Sequence, residues 1–461
     1  MSKKKNFTGC QIPKKPGEVK TMLYSAEAHK EICEYAKNES FSKDYLNYFK
    51  QIETKCTELN SENIPALFHP IILTQDTLSK ISQQSEQINK ILNKTIKLYK
   101  NNSEVKAYFN LPDPLDDWMN IDPNYDIQIP ISRYDGFWDG ENYKPCEFNT
   151  DGTSGMNEVN VLDEIFLNTD MGKYLKNIFS LKNYNLGQSI LDTILAAYKN
   201  FGGKGTPNIA ITDFLDLGTM SEFKTLRKCF MSKGYSTEIC DIRHLKYRNG
   251  SLWHNDFRVD LIYRRAVTDE MFPRKDDIKN FLKAYKENAV CVVGPLCSHI
   301  AHTKIVLTFL SSPLAENYFT DKEIKFIKNH IPWTRLLIDH PVFIADIISN
   351  KNNYFLKPHN AHGGQGVYAG EEHDTESFTN IINQILENKQ QAYLVQKKIP
   401  LPTDYFISDD KGNLKEHNVT VGSYVLNNKF AGIYARVSTG TIITTPRGAL
   451  VAPVFAGKLE H

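Results

Sequence analysis

The sequence predicts a mixed α/β (α+β) fold, helical up to about residue 125 and strand-rich beyond it. Three observations carry this expectation. Leu78, Ile81, Ile88, Leu92 and Tyr99 recur at near-heptad spacing, as on one long amphipathic helix. Residues 208–240 alternate strand, helix and strand patterns, which implies parallel pairing. Two short stretches stand out: Arg133 to Asn149 reads as a polar hairpin, and Phe355 to Val367 as a strand ending in lysine followed by a glycine loop, a generic hairpin loop being the alternative.

In chain order, the helical stretch comes first and its apolar stripe reads as core. The segment R-Y-D-G-F-W-D-G-E-N-Y-K-P-C-E-F-N then places Asp135 before a turn, Asp139-Gly140-Glu141-Asn142, and Glu147 and Asn149 on the returning strand. Side chains two apart on a strand share a face, so Glu147 and Asn149 point together and the hairpin brings Asp135 beside them. Two carboxylates and an amide oxygen make a hard oxygen site of the kind Mg²⁺ takes; a solvated acidic hairpin is the alternative. Met156 to Phe166 returns to helical spacing.

Asn208 to Phe214 reads as a buried strand. Ser221 to Lys233 follows as a helix, with Ser221 as N-cap and Gly234 closing it, and Ser236 to Cys240 as the next strand. Val259 to Tyr263 is a third strand of this Rossmann-like lobe and ends in Arg264-Arg265. That pair either grips a substrate carboxylate beyond the strand end or closes salt bridges at a lobe boundary. Lys304 lies within a helical stretch, Ser298 to Leu310, that follows Cys291 to Leu296; it is a nucleotide lysine or a solvated helix residue. Ile331 to Arg335 marks the join to the next strands.

Tyr354-Phe355-Leu356-Lys357 is an apolar strand that delivers a lysine at its end. Pro358 removes a donor and turns the chain. Gly363, Gly364, Gln365 and Gly366 then form a loop whose backbone N–H groups can approach a polyanion closely. No G-K-[ST] follows and no helix opens after the glycines, which excludes a Walker loop and a dinucleotide fingerprint. Tyr393 to Pro400 reads as a strand entering a hinge, with Gln396 placed to read an adenine edge. Gly432 to Gly440 carries Arg436, either facing a developing oxyanion or paired with a carboxylate.

Taken together, Arg-x-Asp, twelve residues from that Asp to Glu-x-Asn, and the later strand-Lys-Pro-glycine loop resemble the synthetase domain of glutathionylspermidine synthase, a circularly permuted ATP-grasp ligase. The permuted order puts the metal carboxylates before the phosphate loop. The resemblance implies an ATP-grasp fold and the cofactors ATP and Mg²⁺. It makes Asp135, Glu147 and Asn149 metal ligands and Arg133 an active-site arginine. Lys304, Lys357 and the glycine loop would hold phosphates, and Arg436 would face the transferring phosphoryl group. Ser154 matches the second of two substrate-side serines, whereas the first is Gly152 here; Thr153, Arg264 and Arg265 are further substrate-side candidates. The implied activity is an ATP-dependent carboxylate–amine ligase working through an acyl phosphate and releasing ADP and phosphate, the amine being a polyamine, diamine or amino acid. A kinase-like phosphotransferase and a non-catalytic nucleotide-binding scaffold are the alternatives.

At 461 residues the chain is too long for one core. The expected division is an N-terminal helical region (1–125), the hairpin with its helices (126–200), the Rossmann-like lobe (201–300) and nucleotide-binding lobes (301–458). Residues 459–461 read as a tag remnant. With 55 Lys and Arg against 54 Asp and Glu, dispersed in sequence, no nucleic-acid partner is expected; the partners are small-molecule or peptide carboxylates and amines, with a homodimer allowed. No apolar run is long enough to span a bilayer, basic Met1 to Lys5 precede no apolar signal core, and a cytoplasmic location is expected. The eight cysteines include no C-x-x-C pair, which speaks against structural zinc and a disulfide framework.

Overall fold

A computed structural model describes residue 23 and residues 25–338, 340–361, 363–388 and 391–459. The expected long helix runs from Gln75 to Asn101, capped by the Thr74 side chain, which accepts from the Thr77 backbone N–H. Ile81, Ile88, Leu92 and Tyr99 are buried along it, and Leu78 packs at the edge. Polar residues in the same stripe fix the helix to the sheet beneath: Ser85 Oγ donates to Ser423 Oγ at 2.8 Å, and Asn89 bonds both Asn428 and Tyr134. A helix bonded this way has one azimuth, because rotation would leave those buried polar groups unpaired.

That sheet is antiparallel and six-stranded. Leu450–Ala452, Lys429–Ser438, Leu414–Leu426, Ile131–Trp138 and Tyr143–Asn149 follow in order, and Thr403–Ile407 also pairs with Leu414–Leu426. It joins the predicted hairpin directly to strands from the end of the chain. A second antiparallel sheet orders Thr334–Leu336, Tyr393–Lys397, Tyr354–Pro358 and Tyr368–Ala369. The helices Pro341–Ser349 and Thr375–Glu387 cover it through a separate small core that includes Ile347, Leu356, Phe378 and Ile382.

The Rossmann-like unit is a four-stranded parallel sheet in the order Cys291–Val293, Leu261–Arg264, Ile209–Asp213, Thr237–Asp241. Ile209, Ile211, Leu261, Ile262 and Val292 are fully buried, as strands covered on both faces must be.

Several local expectations are corrected. Helix Met220–Ser232 begins one residue early, so Thr219 is the N-cap position and Ser221 lies inside the first turn; Gly234, at φ +87°, does close it. Val259 to Tyr263 is not one strand. It breaks at Asp260, whose carboxylate accepts from the Asn208 N–H, and Phe257–Val259 joins Lys246–Arg248 and Ser251–His254 in a small meander. The segment around Lys304 is not one helix either: His299–His302 and Ile305–Leu310 are separated by Thr303 in an extended conformation. Thr334–Leu336 is a strand of the second sheet rather than a joint before it.

The N-terminal region is not purely helical. Ile71–Leu73 pairs in parallel with Val454–Leu459, which pairs on its other edge with Phe179–Lys182. Leu459 therefore belongs to the fold, while Glu460 and His461 lie outside the described residues. Among the described residues no helix is long and apolar enough to cross a membrane.

Candidate active site

The hairpin Ile131–Trp138 and Tyr143–Asn149 sets Asp135 opposite Glu147 and Arg133 opposite Asn149. All four side chains line one cavity of about 390 Å³ between the six-stranded and four-stranded antiparallel sheets, in the size range of small-molecule sites. Asp135 Oδ1 accepts from Arg133 Nε at 2.8 Å. Oδ2 accepts from Arg133 Nη2 at 2.9 Å, Asn149 Nδ2 at 3.1 Å and Arg436 Nη2 at 3.2 Å. Oδ1 thus keeps a lone pair for a cation, and Asn149, having spent its NH₂ on Asp135, keeps its carbonyl oxygen. On the neighbouring strand, Gly422 leaves room for this arrangement: a Cβ there would lie 2.6 Å from Asp135 Oδ1.

Arg133 also donates to the Ser154 carbonyl oxygen at 2.6 Å, and Tyr424 Oη donates to the same oxygen at 3.1 Å. Burial disfavours the Arg133 charge, but Asp135 outweighs it and the guanidinium is held charged. Arg133 and Arg436 both lie against the Tyr434 ring, 5.0 Å and 5.3 Å from its centroid. Arg436 Nε is buried with no hydrogen-bond partner among the described residues, a donor left for an anion.

Lys304 comes from the break between the two short helices, where its backbone N–H donates to the His359 carbonyl. Its Nζ lies 2.9 Å from Glu147 Oε1 and donates to the Ala361 carbonyl at 2.7 Å. Lys357, near the end of Tyr354–Pro358, donates to Gln396 Oε1 at 2.7 Å, and Gln396 Nε2 donates to Thr334 Oγ1 at 3.2 Å. Pro358 still pairs with Tyr393, so the turn begins after it. Gly363, Gly364 and Gly366 take φ of +63°, +77° and +65°, the left-handed region in which backbone N–H groups converge. Gly363 and Gly364 line the cavity opposite Ile442, Ile443 and Thr444.

Two lysines and two arginines thus line one cavity together with a pair of carboxylates and an amide, beside a glycine turn. The model of the family "Circularly permuted ATP-grasp type 2" matches residues 207–440, half of the chain. The chain belongs to this permuted ATP-grasp family. The match begins after the hairpin, so Asp135, Glu147 and Asn149 fall outside it, while both lysines, the glycine loop and Arg436 fall inside.

The permuted ATP-grasp architecture also resembles solved structures. A glutathione synthetase-like effector, GSS30, from Globodera pallida is 11% identical with a TM-score of 0.58, over 92% of this chain and 99% of that one. A putative gamma-glutamylcysteine synthetase from Methylobacillus flagellatus is 10% identical over 77% of this chain and 82% of that one, with a TM-score of 0.41. No curated protein sequence matches the chain.

Not every expected residue of this permuted ATP-grasp chain reaches the cavity. Arg264 and Arg265 are buried and committed, Arg264 to Asp151 and to the carbonyls of Ala266 and Gly294, Arg265 to Glu222; the salt-bridge alternative is the one observed. Burial opposes the charge on Asp151, but Arg264 and His299 hold its carboxyl well below the usual range. Thr153 is buried too, its Oγ1 donating to the Asn149 carbonyl at 2.8 Å, so it braces the hairpin instead of meeting substrate. Gly152 does line the cavity, at φ +65°; a Cβ there would lie 2.5 Å from the Arg265 carbonyl, so no serine fits at that position. Gln365 and Gly366 sit exposed on the outer turn of the loop, off the cavity wall. Gln396 lines the wall, but its amide is taken by Lys357 and Thr334, which makes it a residue that positions the lysine rather than one that reads a base.

Sequence reasoning missed Glu270, His302 and Thr420 on the wall. Glu270 is half-buried, and burial, with Asp213 next, pushes its carboxyl up. Nothing in its local pattern marks it, because it reaches the cavity from a short helix, Thr268–Met271, placed by the parallel sheet. Cys146 also lines the cavity, with its thiol pushed up by burial, in keeping with a small strand residue.

Proposed function

We propose that the chain is an ATP-dependent carboxylate–amine ligase. The observation that carries this is the convergence of Lys304, Lys357, Arg133, Arg436, Asp135, Glu147 and Asn149 on one cavity wall in a permuted ATP-grasp chain. The donor set fits a hard divalent cation: Asp135, Glu147 and Asn149 would hold Mg²⁺, which would supply charge neutralisation on the phosphate oxygens. Lys304 and Lys357 would bind the phosphates as point charges, and the turn at Gly363 and Gly364 would close over them.

In the first step a carboxylate oxygen of the acid attacks the γ-phosphorus of ATP and the bond to ADP breaks, giving an acyl phosphate. The amine nitrogen then attacks the acyl carbon, phosphate leaves and the nitrogen loses a proton. Arg133 and Arg436, both ion-paired with Asp135 and packed on Tyr434, would bind the anionic groups at both stages, the open Nε of Arg436 being the donor not already spent. Glu270, on the cavity wall with its carboxyl pushed up by burial, would receive the incoming amine. Sealing the cleft would keep water from the acyl phosphate.

The test is phosphate release from ATP and Mg²⁺ across a panel of amino-acid and peptide carboxylates, each with and without a pool of amines including polyamines. Release that requires both, with the mass of the amide, and loss of at least about a hundredfold in Glu147→Gln with the fold intact, is expected. A stable phosphorylated product formed without amine would replace the ligase with a phosphotransferase.

A further inference from the structure

The parallel sheet ends at an edge strand, Thr237–Asp241, which shares no residue with the cavity wall. Glu238 and Cys240 are two apart on this strand and so lie on one face. The meander packs on that face: Leu245, Leu252 and Val259 share a core with Cys240, and strand Ser251–His254 ends with His254 beside Glu238. His254 Nδ1 is 2.6 Å from Glu238 Oε2, and one ligand atom from each of Glu238, Cys240 and His254 falls within 4.8 Å of the others.

We propose that Glu238, Cys240 and His254 form a second metal site, for a divalent cation of the zinc class. One thiolate, one imidazole and one carboxylate are the ligand mix of borderline-soft ions, whereas Mg²⁺ and Ca²⁺ favour oxygen alone. Cys240 is buried, while Glu238 and His254 are half-buried and open on their outer side. Three protein ligands with one solvent-facing position give a four-coordinate ion whose last ligand is water. At bond lengths of about 2.0 to 2.3 Å the tetrahedral geometry needs ligand atoms about 3.3 to 3.6 Å apart. The His254–Glu238 pair would open by less than about 1 Å, within reach of a glutamate rotamer change.

A thiol binds such an ion as its thiolate, so metal binding at Cys240 would release a proton. The ion would tie the meander to the sheet edge, covering backbone groups that an open edge strand exposes. Paired cysteines are the spacing by which zinc sites are found in sequence, and a set with a single cysteine, fourteen residues from its histidine partner, escapes it.

The experiment is Co²⁺ titration of the full chain, read by the thiolate-to-cobalt absorption in the near ultraviolet. One equivalent of the band is expected in the native chain and in Cys146→Ala, which removes the thiol beside the first site. The band should vanish in Cys240→Ala, and His254→Gln should weaken Co²⁺ binding at least about tenfold. His254 is half-buried, so that variant carries the test where Cys240→Ala folds poorly. A missing band in the native chain, a band that survives Cys240→Ala, or an affinity unchanged in His254→Gln would leave only a histidine–glutamate hydrogen bond over a buried cysteine and overturn the proposal.

Discussion

Lys304 Nζ and Glu147 Oε1 stand 2.9 Å apart, so a candidate phosphate-binding lysine and a candidate metal-binding carboxylate neutralise one another. The same lysine holds the Ala361 carbonyl at the start of the glycine loop. On the proposed reading, nucleotide and metal would compete with this pair for opposite partners, and arriving together would replace one ion pair by two. Lys304→Met is therefore expected to bind Mn²⁺ alone about tenfold more tightly and an ATP analogue about tenfold more weakly, each by calorimetry. Equal losses of both would show that Lys304 serves only to hold the fold.

Lys357 has a neutral partner, Gln396, and gives up less when phosphate arrives. Lys357→Ala should weaken binding of an ATP analogue by about ten- to a hundredfold, the worth of one charged hydrogen bond. Gln396→Leu, which removes only the brace, should cost less than a third of that in free energy. Nucleotide affinity unchanged in Lys357→Ala would move the phosphates to another part of the cavity.

The Arg264–Asp151 pair is buried on both sides. Removing one member of such a pair strands the other charge, so Arg264→Met should lower unfolding free energy by about 3 to 5 kcal/mol in urea, with KM for the acid substrate unchanged in the folded enzyme. A raised KM at unchanged stability would return Arg264 to the substrate.

Asp213 titrates in the opposite sense from a salt-bridged carboxylate. Burial pushes it up to about 6, against the pull of Arg265 and the Phe214 N–H, with Asp241 adding repulsion. Its folded pKa exceeds the unfolded value of about 3.9, so the folded state holds the extra proton and stability contributed at this group falls as pH rises from about 4 to about 6. Asp213→Asn should match the native chain near pH 4 and exceed it by on the order of 2 kcal/mol near pH 7, measured by urea unfolding at both. A constant difference across that range would place the titration elsewhere.

The hairpin was legible because its pairing is local: a turn of Asp139 to Asn142 fixes the register that puts Asp135 opposite Glu147. The parallel pairing of Ile209–Asp213 with Thr237–Asp241 followed from adjacent strand and helix patterns, and the glycine loop beside Lys357 from a lysine and glycines within ten residues of one another. What stayed hidden depends on distant partners. Ile71–Leu73 is a three-residue buried strand with no alternation to read, and only Val454–Leu459 gives it a ladder. The commitments of Arg264, Arg265 and Thr153 were equally unreadable, since Asp151, Glu222 and the Asn149 carbonyl approach them through the fold. Glu270 reaches the cavity for the same reason.

The central ladder of the six-stranded sheet also sets a timetable. Thr420 Oγ1 donates to the Gly136 carbonyl across 284 residues of chain, and Ser423 faces Tyr134 in the next pairs. On the ribosome the hairpin emerges early, with one long edge unpaired, and must wait for most of the polypeptide to be synthesised before Leu414–Leu426 can close it. Until then Arg436 cannot reach Asp135 and Arg133. A chain truncated before about residue 414 would carry the lysines and the glycine turn yet present a bare, sticky strand edge, an invitation to aggregation and a natural substrate for chaperones.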